Sequence, residues 1–423
     1  MNELEGLRKE SINVDYFYEL FRKIWWDTSS HIKLNKIKIT YNEKKKREKR
    51  FDDLVDILIN HLKYFSSENK EIFIWKNKLY EIINRFLEDG YIFDIDFNEE
   101  LRESFFHVTR KFIREARIFD DKLKINDIGQ AMRNVWIINI IQAIKLEEIK
   151  FSEAIFGYSM LYPYTDNYLD NVNIDIKDKI NFNKRLLKRL NGEKICTENE
   201  YEGKVYSLLE YIEKEYNMEN YPEVYESLIK IQIGQILSLD QQNNITIPYE
   251  RDILGISIEK GGASVLVDGF IINGKLKTNE IKFCIGYGIL LQLADDLQDV
   301  KEDIKNNNIT IMSQLAGKYN LDSIANKLIN FTIDIINNIK DNSNDALTKL
   351  IEDNCLMLIF FSIAFSKEFF SRSYIEEIEN YLPFTLRYIN NMKANLTKKF
   401  KTLKNLKNNE DFMMVLDKII SLD

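Results

Sequence analysis

Apolar residues recur at three- and four-residue intervals through most of the 423-residue chain, a period that places them on one side of an α-helix. From position 101 onward this pattern predicts helices over 101–119, 127–145, 151–171, 179–191, 202–216, 222–241, 252–273 and 279–303. Further helices are predicted over 309–316, 321–339, 346–365, 373–398 and 409–420. Before position 101 the same period is clear over 51–65 and 72–93. Pro222 falls in a first helical turn, where its missing N–H costs nothing, and the polar stretches 192–203 and 241–249 read as connections. The organisation this suggests is an N-terminal helical extension or cap over 1–100, followed by one large helical domain over 101–423.

Composition strengthens the helical reading. With only 15 glycines and 4 prolines there are few residues to interrupt helices, and the expected class is all-α. A formal net charge of -8 argues against nucleic acid as a general partner. Cys196, Cys284 and Cys355 are widely separated, as are His31, His61 and His107, so neither a disulfide framework nor a thiolate or histidine metal cluster is expected. The opening "MNELEGLRKE" does not read as a cleavable leader, and no uncharged run reaches about 18 residues, so a cytoplasmic location is expected. The basic run "KKKREKR" at 44–50 reads as a solvated helix face or a loop.

Two acidic stretches depart from ordinary amphipathic patterning. "LLQLADDLQDVKED", 290–303, sets Asp295, Asp296, Asp299 and Asp303 directly after an apolar run. On a helix Asp295, Asp299 and Asp303 follow one another at one-turn spacing, where like charges repel. "LYPYTDNYLDN", 161–171, repeats the spacing with Asp166 and Asp170, again at the end of an apolar helix. A solvated acidic face explains either run alone. Two such pairs facing each other across a bundle would instead suit a hard divalent cation that keeps waters and shares substrate phosphates. Magnesium is the expected ion, as a cluster of several, with manganese as its substitute.

An anionic substrate needs donors as well. Arg110, Arg114 and Arg117 lie at four- and three-residue spacing, and Arg133 precedes a strongly apolar stretch. Their guanidinium groups can fork onto phosphate oxygens or serve as surface ion-pair partners. Lys260 lies in "GISIEKGGASVLVDGF", 255–270, beside Gly261 and Gly262. Each glycine inside a helix costs about 0.5–1 kcal/mol relative to alanine, which points to close packing or to the approach of a ligand.

With these residues in place, the chain resembles the class I isoprenoid synthase superfamily over about Arg110 to Asp303. "EKGGASVLVDGF" followed by "FCIGYGILLQLADDLQD" is similar to the lysine element and second aspartate-rich motif of trans-prenyl diphosphate synthases. On that resemblance Lys260 takes the diphosphate-binding lysine position, Gln292 the glutamine position, and Asp295, Asp296 and Asp299 the second-motif aspartates. "DNYLD" resembles the first motif, with Asn167 standing where a second aspartate is usual. After it the chain continues "NVNIDIKDKI" without the arginine pair of chain-elongating enzymes, and "YLDN" is similar to bacterial large-terpene synthases.

The resemblance implies a helical bundle around a central cavity and a terpene synthase acting on one prenyl diphosphate. Asp166, Asp170, Asp295 and Asp299 would hold magnesium, assisted by Asp296 or Asp303, while Lys260 and an arginine such as Arg133, Arg114 or Arg117 would bind diphosphate. Tyr164, Tyr168, Trp136 and Tyr287 lie near the motifs and are expected either as cavity walls or as core packing. A prenyltransferase using the same ionisation and a non-catalytic helical interaction protein are the alternatives. An apolar substrate implies transient membrane contact, and the superfamily analogy implies a homodimer.

Overall fold

The computed structural model describes residues 13–31, 34, 36–63, 99–145, 147–171, 173–242, 250–337 and 345–401, with scattered positions between 74 and 85. In chain order its α-helices are α1 (Val14–Asp27), α2 (Tyr41–Lys63), α3 (Glu99–Phe119), α4 (Ile125–Ile144), α5 (Glu153–Asp170) and α6 (Ile176–Leu190). There follow α7 (Glu200–Glu215), α8 (Pro222–Ser238), α9 (Ile253–Asn273), α10 (Thr278–Gln298) and α11 (Val300–Asn306). The last are α12 (Ile311–Leu315), α13 (Asp322–Asn337), α14 (Asp345–Phe365), α15 (Arg372–Glu379) and α16 (Leu386–Lys401). No strand occurs among the described residues, and the fold is an all-α bundle.

Helices α9 and α10 form its centre because their sequences are apolar on nearly every side. Along α9 only Glu259, Lys260 and Ser264 interrupt continuous burial between Ile253 and Ile272. Around this pair pack α8, α4, α5 and α1 on one helix, and α13 and α14 on the other. Helix starts follow side-chain caps that the sequence carries. Ser152 accepts from the Ile155 N–H, Asp175 from Lys177, Asn199 from Glu202 and Asp252 from Gly255. Gly274 ends α9 in the left-handed region at φ 78°, a conformation that glycine adopts without a Cβ penalty.

The N-terminal helix α1 belongs to the main core: Val14, Phe17, Phe21 and Trp25 are buried with residues of the central helices. A smaller cluster joins Val55, Ile59 and Leu62 of α2 to Trp75 and Leu79.

Three expectations change. The segment 279–303 is not one helix but two, because the backbone at Asp299 turns to φ -94°, ψ 7° between α10 and α11. The segment 373–398 likewise divides into α15 and α16 around Pro383, which cannot donate in a helix interior. The basic run 44–50 lies in α2, but it is not wholly solvated. Lys44 is buried and donates to the Glu379 carbonyl, and buried Glu48 accepts from the Thr385 N–H at 2.9 Å and its hydroxyl at 2.6 Å. The predicted helices over 72–93 and 409–420 lie largely or wholly outside the described residues.

Candidate functional site

Lys260 is the one cation on the otherwise apolar inner stretch of α9, and three glycines fix where it stands. Gly234 of α8 faces its backbone, where an added Cβ would lie 2.9 Å from the Lys260 Cα. Gly261 faces α10, where a Cβ would lie 2.5 Å from the Gln292 Cβ and 2.7 Å from the Gly288 carbonyl oxygen. The close approach that glycine spacing suggests is therefore real, and it is made by helix backbone on both sides of Lys260.

From this position Lys260 Nζ reaches Asp166 Oδ1 of α5 at 2.9 Å, with both side chains 15% exposed. Pro163, three residues earlier, lacks the N–H that would bond the Ser159 carbonyl, and the Thr165 hydroxyl donates to the carbonyls of Leu161 and Tyr162 in the same turn. Asp295 faces the pair. Burial pushes its carboxyl up to about 6, with repulsion from Asp299 and Asp166 adding to the rise and the charges of Arg133 and Lys260 opposing it. Asp295 is nevertheless exposed, so solvent tempers the shift. Asp299 is exposed beside it and is also raised, by burial first and by Glu302, with Arg133 again opposing.

The other two acidic residues of this stretch are already engaged. Asp296 is 4% exposed and accepts from Ser257 Oγ of α9 and from Gln292 Nε2, each at 2.9 Å. Burial still lifts it to about 7 against those two bonds. Asp303 is buried and accepts from Asn308 Nδ2 at 2.9 Å; burial lifts it to about 6, with Asp299 and Asp295 contributing. Asp170 is the last residue of α5, and its side chain lies outside the described residues.

Of the arginines, Arg133 is exposed on α4, with its charge acting on Asp295, Asp299 and Tyr162. Arg117 donates to the carbonyl of Leu123 at 2.6 Å and that of Asp121 at 3.4 Å, holding the turn between α3 and α4. Arg114 is exposed on α3.

Sequence reasoning missed Tyr162, Tyr158 and Ser257. Tyr162 lies one turn before Asp166, and burial raises its hydroxyl, with Asp166, Lys260, Asp295 and Arg133 all acting on it. The i,i+4 spacing to Asp166 was the available signal, as was i,i+3 from Ser257 to Lys260. Tyr164 and Tyr168 do line a cavity, a cleft of about 1020 Å³ with Asp120, Lys124 and Lys204. A step of two residues turns about 200° around a helix, which sets them on a different side of α5 from Asp166. Trp136 is 46% exposed and donates to the Thr109 hydroxyl, and buried Tyr287 stacks on Phe283.

Tyr158 and Tyr162 line the inner recess, with Leu186 and Leu190 of α6 and Leu228 and Ile231 of α8. Its free volume is about 10 Å³, room for a single water. Thr165, Gln232 and Gln235 add polar groups to its lining.

Among the described residues no group of three or more His, Cys, Asp and Glu side chains is arranged to hold a metal. The donor chemistry nonetheless fits magnesium. Asp295 and Asp299 offer exposed carboxylate oxygens in mutual repulsion, and magnesium commonly takes one or two carboxylates together with water and substrate phosphates.

No protein-family model and no curated protein sequence matches this chain. Among solved structures it is similar to a proposed farnesyl-diphosphate synthase from a Marinomonas species, at 14% identity. That similarity covers 62% of this chain and 100% of the other, with a TM-score of 0.38. A likeness this distant decides nothing about chemistry.

Proposed function

We propose that this protein is a magnesium-dependent class I terpene synthase that ionises a single prenyl diphosphate, releasing diphosphate and forming a linear or cyclic terpene. The observation that carries the reading is the ion pair between Lys260 and Asp166, 2.9 Å across two helices, with the Asp295 carboxylate and the Arg133 guanidinium acting on the same place. Carboxylates for a hard cation beside cationic donors for phosphate oxygens match a magnesium-bound diphosphate head.

Asp295 and Asp299, with Asp166, are the residues that would hold magnesium; when bound, the ion supplies Lewis-acid stabilisation of the charge that gathers on departing diphosphate. Lys260 stands where its ammonium can exchange the Asp166 carboxylate for diphosphate oxygens. That exchange frees Asp166 as the anion binds, so one residue pair prepares both parts of the site. Arg133, already acting on Asp295 and Asp299, adds a guanidinium that can fork onto the same oxygens. The ring of Tyr162, on which Asp166, Lys260 and Asp295 act, can stabilise the allylic cation left by ionisation. A proton lost from the neighbouring carbon passes to an oxygen of the released diphosphate, and the C–H electron pair becomes the double bond that ends the reaction.

The experiment is to incubate the full chain and magnesium with prenyl diphosphates of increasing length, one at a time, following diphosphate release and extracting hydrocarbon. Release with a new hydrocarbon from one substrate supports the proposal. Silence with single substrates, followed by a longer prenyl diphosphate once isopentenyl diphosphate is added, replaces it with prenyl transfer.

A further inference from the structure

At Gly261 and Gly288 the backbones of α9 and α10 approach directly, flanked by the side chains of Gln292 and Val265. Neither glycine carries a polar group across to the other helix. One turn away on α9 and two turns away on α10, the contact is completed by a buried polar bond. Ser257 Oγ, on a residue 2% exposed, donates at 2.9 Å to Oδ2 of Asp296, which is 4% exposed. The other Asp296 oxygen accepts from Gln292 on its own helix, so Ser257 is the donor that reaches this carboxylate from the helix carrying Lys260.

Resting on the function proposed above, we propose that Ser257 is a positioning residue. Through Asp296 it holds the exposed carboxylates of α10 in register with Lys260 of α9. Asp296 then acts as the internal anchor of the acidic stretch, while Asp295 and Asp299 face outward. A hydrogen bond to a charged group, buried away from water, resists displacement far more than an exposed one. Without it Asp296 loses its donor from α9, its neighbour Asp295 is held less firmly relative to the Lys260 ammonium, and simultaneous binding of cation and diphosphate weakens.

The test is calorimetric titration of magnesium into the full chain in the presence of inorganic diphosphate, a readout that requires no turnover. It compares the wild type with Ser257→Ala, Asp296→Asn, the double variant and Ser257→Thr, with thermal unfolding of each as the folding control. Ser257→Ala is expected to weaken diphosphate-dependent magnesium binding about tenfold while still unfolding cooperatively. Ser257→Thr, which keeps the hydroxyl, is expected to recover most of it. Because Ser257 acts through Asp296, the double variant should bind no more weakly than Asp296→Asn alone. Wild-type affinity in Ser257→Ala, no recovery in Ser257→Thr, or fully additive losses in the double variant would each overturn the positioning role while leaving the site itself standing. If the wild-type protein binds no magnesium with diphosphate, the functional reading fails and the positioning role fails with it.

Discussion

Asp268 shows most sharply what a single side chain does in this core. It is fully buried on α9, neither carboxylate oxygen has a hydrogen-bond partner, and burial raises its carboxyl well above the ordinary range. A carboxyl raised in the folded state contributes stability fully below the unfolded value near 4. That contribution is lost as pH rises toward the folded value. Asp268→Asn removes this dependence. Its stability relative to the wild type should therefore climb by about 1.4 kcal/mol per pH unit above about pH 4, measured by denaturant unfolding across pH. A constant difference between pH 4 and 7 would contradict the buried neutral acid. Lys260 behaves differently: Lys260→Met removes both the partner of Asp166 and a donor for diphosphate, and should lower the rate of diphosphate release about a hundredfold or more in a single-turnover assay. At this scale the sequence was informative about Lys260 and the acidic residues, because a charge inside an apolar helix needs a reason. Tyr162 and Ser257 carried only their helical spacing to Asp166 and Lys260, a weaker signal because a tyrosine or serine inside a helix is ordinary.

Helices are the scale at which the chain was most legible. Spacing of apolar residues located most of α3 to α14 within a few residues, whereas caps such as Ser152 and Asp252 emerged only in the structure. The break at Asp299 was not visible, because no glycine or proline marks it. Helix pairing was also hidden. Gly261 and Gly262 announced a close approach on α9, but only the structure identifies Gly288 and Gln292 as the partners of Gly261. An added Cβ at Gly288 meets the Gly261 carbonyl, which is backbone and cannot swing aside. Gly288→Ala should therefore cost about 1–3 kcal/mol in denaturant unfolding and weaken diphosphate binding, whereas Gly203→Ala, where nothing lies within 4 Å, should not destabilise. Equal effects at the two positions would remove the argument for a tight α9–α10 contact.

For the molecule as a whole, the all-α class followed from scarce helix breakers and from period, whereas the burial of α1 in the main core did not, since an amphipathic helix does not name the surface it covers. The size of the inner recess was equally inaccessible, because it depends on how Leu186, Leu190, Leu228 and Ile231 meet across α6 and α8. Leu228→Ala should enlarge that recess at a stability cost of about 2–5 kcal/mol, measured by denaturant unfolding. What matters most is whether the cluster of Lys260, Asp166 and Asp295 ionises a prenyl diphosphate. The most direct measurement is diphosphate release by the full chain from single prenyl diphosphates, with and without magnesium, in the wild type and in Asp295→Asn. The account predicts release that requires magnesium, yields a hydrocarbon and falls about a hundredfold or more in Asp295→Asn. Release that persists without magnesium or is unchanged by Asp295→Asn, or no release from any single prenyl diphosphate, would contradict it.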